Sequence, residues 1–330
     1  MSHAALITAF LARHGYGTAR TEPLAQDASF RRYLRLTGGP CPAVLMDAPP
    51  PEDVRPFVQI ARHLAGIRVS VPEIFAADEA AGLLLEEDLG DDLLSLIIDP
   101  ANRAELFEAA VDTLVAIQRA APPSNLPVWD VTTMATTALA TLFDWWWPAM
   151  FGTTAPDMVR QDFVTALETT LVPVATGPVC FVHRDFFAGN LLWLPHRQGI
   201  RRIGVLDFQG AAIGHPAYDL AALLQDARRD ILPEHAEYAI AYYLAARPEL
   251  DPDAFRAAYA ACATQRHLRI AGQWVRLARR DGRPGYLVHG PRTWHLLQQS
   301  LCEPVAAPLA AALDRWIPPD RRCNPPDLAA

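Results

Sequence analysis

The apolar pattern of this chain changes period once, near Glu87 to Asp92, and that change limits the fold more than any other feature. Before it, Phe30-Arg31-Arg32-Tyr33-Leu34-Arg35-Leu36 alternates as a strand does, Gly38-Gly39-Pro40 interrupts, and the apolar Ala43 to Met46 follows, which together predict a β-hairpin. After Pro49-Pro50-Pro51, the residues Val54, Phe57, Val58, Ala61 and Leu64 recur at helical spacing, and Glu73 to Ala77 and Gly82 to Glu86 read as two further strands. Beyond the change, helical stretches dominate: Arg103 to Arg119, Asp130 to Trp147 and Met158 to Leu171. The expectation is an α+β chain of two lobes. Residues 1–88 would form a small antiparallel sheet with one helix, and 89–330 a larger, mainly helical lobe.

At 330 residues and 51% hydrophobic content the chain can bury two cores. The segment Ala4 to Ala12 predicts a surface helix ended by Gly15 and Gly17, too short to cross a bilayer, so no membrane partner is expected. A net charge of -8 argues against nonspecific nucleic-acid binding and for a small-molecule partner. Five cysteines lie far apart without a C-x-x-C pair, which reads as reduced thiols in a cytoplasm. All 29 basic residues are arginine. Schiff bases and a phosphate-binding lysine are therefore excluded.

Within the helical half, Val179 to Asp185, Leu191 to Leu194 and Ile203 to Phe208 are brief apolar runs bounded by turn signals. Two acidic segments sit where such runs end: His183-Arg184-Asp185-Phe186-Phe187-Ala188-Gly189-Asn190, and Leu206-Asp207-Phe208-Gln209-Gly210. Phosphoryl transfer needs a carboxylate to deprotonate the attacking hydroxyl and hard oxygen ligands for magnesium on the nucleotide phosphates. Asp185 suits the first task. Asn190 and Asp207 suit the second.

These segments, in this order, resemble the active site of the aminoglycoside phosphotransferase and choline kinase superfamily, whose fold is protein-kinase-like. The resemblance implies ATP and Mg2+ as cofactors, and it gives Asp219, in Gly214-His215-Pro216-Ala217-Tyr218-Asp219-Leu220-Ala221, the task of bracing the catalytic loop. His183 would be structural, bonding the backbone of that loop. More narrowly, Asp27-Ala28-Ser29-Phe30-Arg31-Arg32-Tyr33, Val44-Leu45-Met46-Asp47-Ala48-Pro49-Pro50 and Gln265-Arg266-His267-Leu268-Arg269-Ile270 are similar to bacterial N-acetylmuramate/N-acetylglucosamine kinases of peptidoglycan recycling. That subfamily phosphorylates the anomeric hydroxyl. In the same resemblance, Leu85-Glu86-Glu87-Asp88-Leu89-Gly90 connects the lobes, with backbone near Glu86 and Asp88 binding adenine; the alternative is an ordinary acidic linker.

One departure from the superfamily stands out: its phosphate-binding strand lysine falls here at Met46 or Asp47, and its helix glutamate is missing from Val54 to Leu64. Losing both members of an ion pair strands no buried charge. Ser29, Arg31 or Arg32 is expected to make the phosphate contacts instead, since guanidinium forks match phosphate. Strand alternation lets only one arginine face the nucleotide, and Arg32 is preferred.

For the acceptor, seven arginines stand against one aspartate between Arg266 and Arg292. Arg266, Arg269, Gln273, Arg276 and Arg280 fall on one helical stripe, which is either a solvated face or a recogniser of an acidic sugar, Arg266 and Arg269 being its candidates. In Trp145-Trp146-Trp147, Trp145 could stack on a pyranose ring, or the cluster could be core. The competing functions are a kinase of another hydroxyl substrate (aminoglycoside, choline or homoserine type) and a noncatalytic nucleotide-binding pseudokinase.

Overall fold

The computed structural model describes residues 2–24 and 31–328, and the chain divides into two compact units, Met1–Ile117 with Gly189–Gly210, and Gln118–Ala188 with Ala211–Ala330. In the first unit, α1 (His3–Arg13) starts at Ser2, whose hydroxyl accepts from the Ala5 amide. It is followed by β1 (Arg20–Pro23), β2 (Arg32–Thr37), β3 (Ala43–Asp47), α2 (Arg55–Gly66), β4 (Ile74–Asp78) and β5 (Leu83–Glu87). These strands form one sheet in the order β1-β2-β3-β5-β4, every neighbour antiparallel. β2 to β5 and α2 match the four strands and the helix expected from the sequence. β1 was not anticipated, because its four residues are all exposed and carry no alternation.

Side-chain alternation sorts the sheet into two faces. Leu36, Ala43, Leu45, Leu83 and Leu85 pack with Phe10, Leu11 and Tyr16 of the α1 region in one buried cluster. By the same parity Tyr33, Arg35, Val44, Met46, Leu84 and Glu86 point to the other face.

The chain continues through α3 (Leu94–Ile97) and α4 (Arg103–Arg119), and the second unit then opens with β6 (Val128–Trp129) and α5 (Val131–Thr141). A π-helical turn (Leu142–Trp146), α6 (Trp147–Phe151), α7 (Asp157–Thr170), α8 (Val172–Thr176) and β7 (Cys180–Val182) come next. The hairpin β8 (Leu191–Trp193) and β9 (Ile203–Val205) belongs to the first unit. The second unit resumes with β10 (Ala212–Gly214), α9 (Ala217–Leu224), α10 (Pro233–Ala246), α11 (Pro252–Arg280), α12 (Gly290–Ser300) and α13 (Ala307–Trp316).

The single helix expected from Asp130 to Trp147 is thus broken into three pieces. Asp130 caps the first by accepting from the Thr133 amide at 2.8 Å. At its far end Thr141 meets α11, where a Cβ on Gly272 would lie 2.3 Å from the Thr141 carbonyl oxygen. Only a glycine permits that approach. The Thr141 hydroxyl reaches the Arg269 carbonyl oxygen at 2.8 Å, so the contact fixes the register of the α11 turn that carries Arg269.

Candidate active site

β7 ends at Val182, which leaves His183, Arg184 and Asp185 in the turn that follows. Asp219, fully buried in the first turn of α9, accepts the His183 amide at 2.6 Å and the Arg184 amide at 2.8 Å, one on each carboxylate oxygen. This is the brace the resemblance implies. It holds Arg184 at φ 75°, a left-handed conformation that a non-glycine residue seldom adopts. The Arg184 guanidinium lies 4.0 Å from the centroid of the Trp129 ring, and the Asp185 amide donates to His183 Nδ1 at 3.3 Å. Burial pushes the Asp219 carboxyl up to about 7, opposed by the two amide bonds.

Asp185 itself remains 41% exposed at its side chain, and two residues of α11 face it. Arg266 lies 3.9 Å and Arg269 3.8 Å from Asp185 Oδ1. Burial would raise the Asp185 carboxyl, but the charges of Arg269, Arg266, His183 and Arg184 together hold it below the usual carboxylate range. A base so placed is ionised at neutral pH. The Arg266 side chain is 3% exposed and donates to the Arg184 carbonyl oxygen at 2.9 Å, with Tyr218 beneath it. Arg266 therefore supports the loop, while Arg269 is the more open of the two. The stripe is not uniform: it is buried at Arg266 and solvated by Arg280.

In the first unit, Asn190 closes a short 3-10 turn, Ala188–Asn190, that feeds β8. Leu191 pairs with Val205, and the Leu206 amide donates to the Asn190 carbonyl at 2.9 Å. The hairpin register thereby sets Asn190 beside Asp207, with Asn190 Nδ2 3.5 Å from Asp207 Oδ2. Asp207 stands at φ 58°, and Gln209 Nε2 donates to its Oδ1 at 2.6 Å. Gln209 Oε1 is buried with no hydrogen-bond partner among the described residues. A carboxylate, a rotatable amide and an orphaned amide oxygen are hard donors, and few protein ligands suffice for Mg2+; the residues fit that ion.

The other expected residues separate. Ser29 lies outside the described residues. Arg32 has the parity of the α1 face, where it pairs with buried Asp47, which also bonds His3 at 2.6 Å. Arg31 is 8% exposed, donates to Glu52 at 3.2 Å and has the opposite parity. Its charge, with those of Glu86 and Asp207, acts on the Tyr33 phenol, which burial above all raises. Arg32 is thus committed to Asp47 on the α1 face, while Arg31 lies by Glu52 and Tyr33. Glu86, near whose backbone adenine was expected, pairs with Val44 on one side and Ile74 on the other. Backbone beyond the sheet begins at Asp88, whose carboxylate is held by Arg35 at 3.0 Å and by the Gly90 amide at 3.0 Å. The Glu86 side chain is 4% exposed, and burial pushes it up to about 8 against the charge of Arg31, so it is a neutral acid at pH 7. Trp146 and Trp147 are core, whereas Trp145 is half-buried and makes no ring contact among the described residues.

Sequence reasoning missed the Gln209 contact, the Arg184–Trp129 stack and the neutral Glu86. Gln209 was legible, standing two residues after Asp207. The other two depend on burial.

Comparison with known proteins bears on this geometry. Residues 20–258 match a family model described as the phosphotransferase enzyme family. The chain is 38% identical to an N-acetylmuramate/N-acetylglucosamine kinase of Caulobacter vibrioides, over 95% of this chain and 96% of that protein. It is 35% identical to a protein of the same name from Pseudomonas aeruginosa, over 84% and 83%. Its fold is similar to a choline/ethanolamine kinase family protein from Mesorhizobium loti, with a TM-score of 0.65 at 16% identity, covering 95% of this chain and 100% of that one. A second solved structure, an aminoglycoside 2′-phosphotransferase-IIIa, has a TM-score of 0.62 at 14% identity, covering 92% and 99%.

Proposed function

This chain belongs to the phosphotransferase enzyme family, and from that premise we propose that it transfers the γ-phosphate of ATP to the anomeric hydroxyl of N-acetylmuramate or N-acetylglucosamine. The observation that carries the reading is Asp185, a carboxylate kept ionised by Arg269 and Arg266 on an acceptor face that is positive rather than negative. A polycationic aminoglycoside would meet two guanidiniums there; an acidic sugar would not be repelled. A pseudokinase has no use for such a base.

Asp185 takes the proton of the anomeric hydroxyl as its oxygen attacks phosphorus, and ADP leaves. Asn190 and Asp207, steadied by Gln209, hold Mg2+, which supplies neutralisation of charge on the nucleotide phosphates. Arg31 is the phosphate-contacting arginine, and backbone from Asp88 onward receives adenine. Residues 1–88 form the nucleotide lobe and 89–330 the acceptor lobe. Trp145 is the tryptophan left to stack on a sugar ring. The product, a sugar 1-phosphate, fits amino-sugar recycling in the cytoplasm. Among the described residues no helix is long and apolar enough to cross a membrane.

The test is ADP release with N-acetylmuramate, N-acetylglucosamine, choline, homoserine and kanamycin as acceptors; turnover confined to choline, homoserine or kanamycin would refute the reading. Arg269→Gln refines it. Removing the largest positive influence on Asp185 favours its protonated form, so the acid limb of kcat/KM moves to higher pH with either sugar. If Arg269 also contacts the lactyl carboxylate, kcat/KM for N-acetylmuramate falls about tenfold or more beyond that for N-acetylglucosamine, the worth of one charge-assisted contact. An equal loss for both sugars assigns Arg269 to the base alone.

A further inference from the structure

The first unit carries an open cavity of about 510 Å³ that none of Asp185, Asn190, Asp207 and Gln209 lines, formed by the end of α2, the start of β4, Glu87 at the end of β5 and the tip of the β8–β9 hairpin. Four arginines, Arg62, Arg68, Arg197 and Arg201, meet only two glutamates, Glu73 and Glu87, around it, in a chain whose net charge is -8. Arg197 is committed: it pairs with Glu87 and donates to the Ser70 hydroxyl at 2.9 Å. The guanidiniums of Arg62, Arg68 and Arg201 make no ion pair or hydrogen bond among the described residues. Arg68 moreover stands at φ 65° just past the end of α2, a position that favours glycine or asparagine. Like charges gathered without counter-charges repel one another, and an anion between them would relieve that. The left-handed Arg68 closes α2, its amide donating to the Ala65 carbonyl at 2.9 Å and the Val69 amide to the Leu64 carbonyl at 3.0 Å, and the turn sets Arg68 on the cavity rim.

We propose that this cavity is a binding site for a small organic phosphate, such as a sugar phosphate, distinct from the site of phosphoryl transfer. Arginine forks on the rim match phosphate oxygens, and the floor of Ala61, Val71 and Pro72 offers apolar surface to a ring. The floor is tied to the metal-binding hairpin. Ser70 is 3% exposed, its hydroxyl donates to the Arg201 carbonyl at 2.8 Å, and its own carbonyl accepts the Val205 amide at 2.8 Å, two residues before Asp207.

The experiment is isothermal titration of the full chain, without nucleotide or metal, with glucose 1-phosphate and separately with inorganic phosphate. Wild type is expected to bind glucose 1-phosphate saturably, and the variant Arg62→Gln/Arg68→Gln/Arg201→Gln about tenfold or more weakly. Basal turnover should not change and the thermal midpoint should not fall, because these guanidiniums bond nothing in the fold and repel one another. Arg62→Gln alone, with a smaller loss in the same direction, serves if the triple variant folds poorly. Tighter binding of glucose 1-phosphate than of phosphate assigns the floor to the sugar; equal binding assigns the site to phosphate alone. Equal affinity in wild type and variant, or no saturable binding of either probe, overturns the proposal.

Discussion

Asp185→Asn lowers kcat by about 10²- to 10⁴-fold, the span expected on losing a general base, in steady-state assays with either amino sugar. Asparagine keeps the shape of the side chain and cannot accept the proton. The fold should survive, since Arg266 keeps its bond to the Arg184 carbonyl and the loop keeps its two amide bonds to Asp219. A far-ultraviolet dichroism spectrum matching wild type, together with the loss of kcat, separates this outcome from unfolding. Near-normal turnover would remove Asp185 from the role. The pH profile gives a second check. Proton uptake destroys the base, so activity falls as pH falls, but the surrounding arginines put that limb below the usual carboxylate range. A limb near pH 7 belongs instead to Asp219, whose protonation costs one acceptor of the brace.

Asp207→Ala has an effect of the same order for a different reason. It removes the charged member of the oxygen pair at the foot of the β8–β9 hairpin and leaves Asn190 and Gln209 as neutral donors. Several kcal/mol of transition-state charge stabilisation are then lost, about 10³-fold or more in turnover. The Mg2+ concentration for half-maximal activity rises with it. An unchanged Mg2+ requirement would mean that the ion is held elsewhere.

Much of this was legible in the sequence because it rests on local pattern. Period-two alternation marked β2, short apolar runs bounded by turn signals marked β3 to β5, and the order of Asp185, Asn190 and Asp207 after such runs suggested the chemistry. What was not legible depends on partners distant along the chain. The π-helical turn at Leu142–Trp146 adjoins the close approach of Gly272 to Thr141, 131 residues later, so helical periodicity read straight through it. The arginine stripe of α11 looks the same on a wheel whether solvated or buried, and only packing separates buried Arg266 from exposed Arg280. Arg31 and Arg32 are adjacent in sequence and chemically identical. The pairing of Asp47 with Arg32 and His3 on the α1 face, which sets the two apart, shows only in the fold.

Phosphorus NMR of the product formed from N-acetylmuramate, ATP and Mg2+ tests the central claim most directly. The account predicts one new phosphomonoester signal coupled to a single proton, the one on the anomeric carbon, that grows about 10²-fold or more slowly with Asp185→Asn. A signal coupled instead to the two protons of a primary carbinol, or no phosphorylated sugar at all, would contradict it.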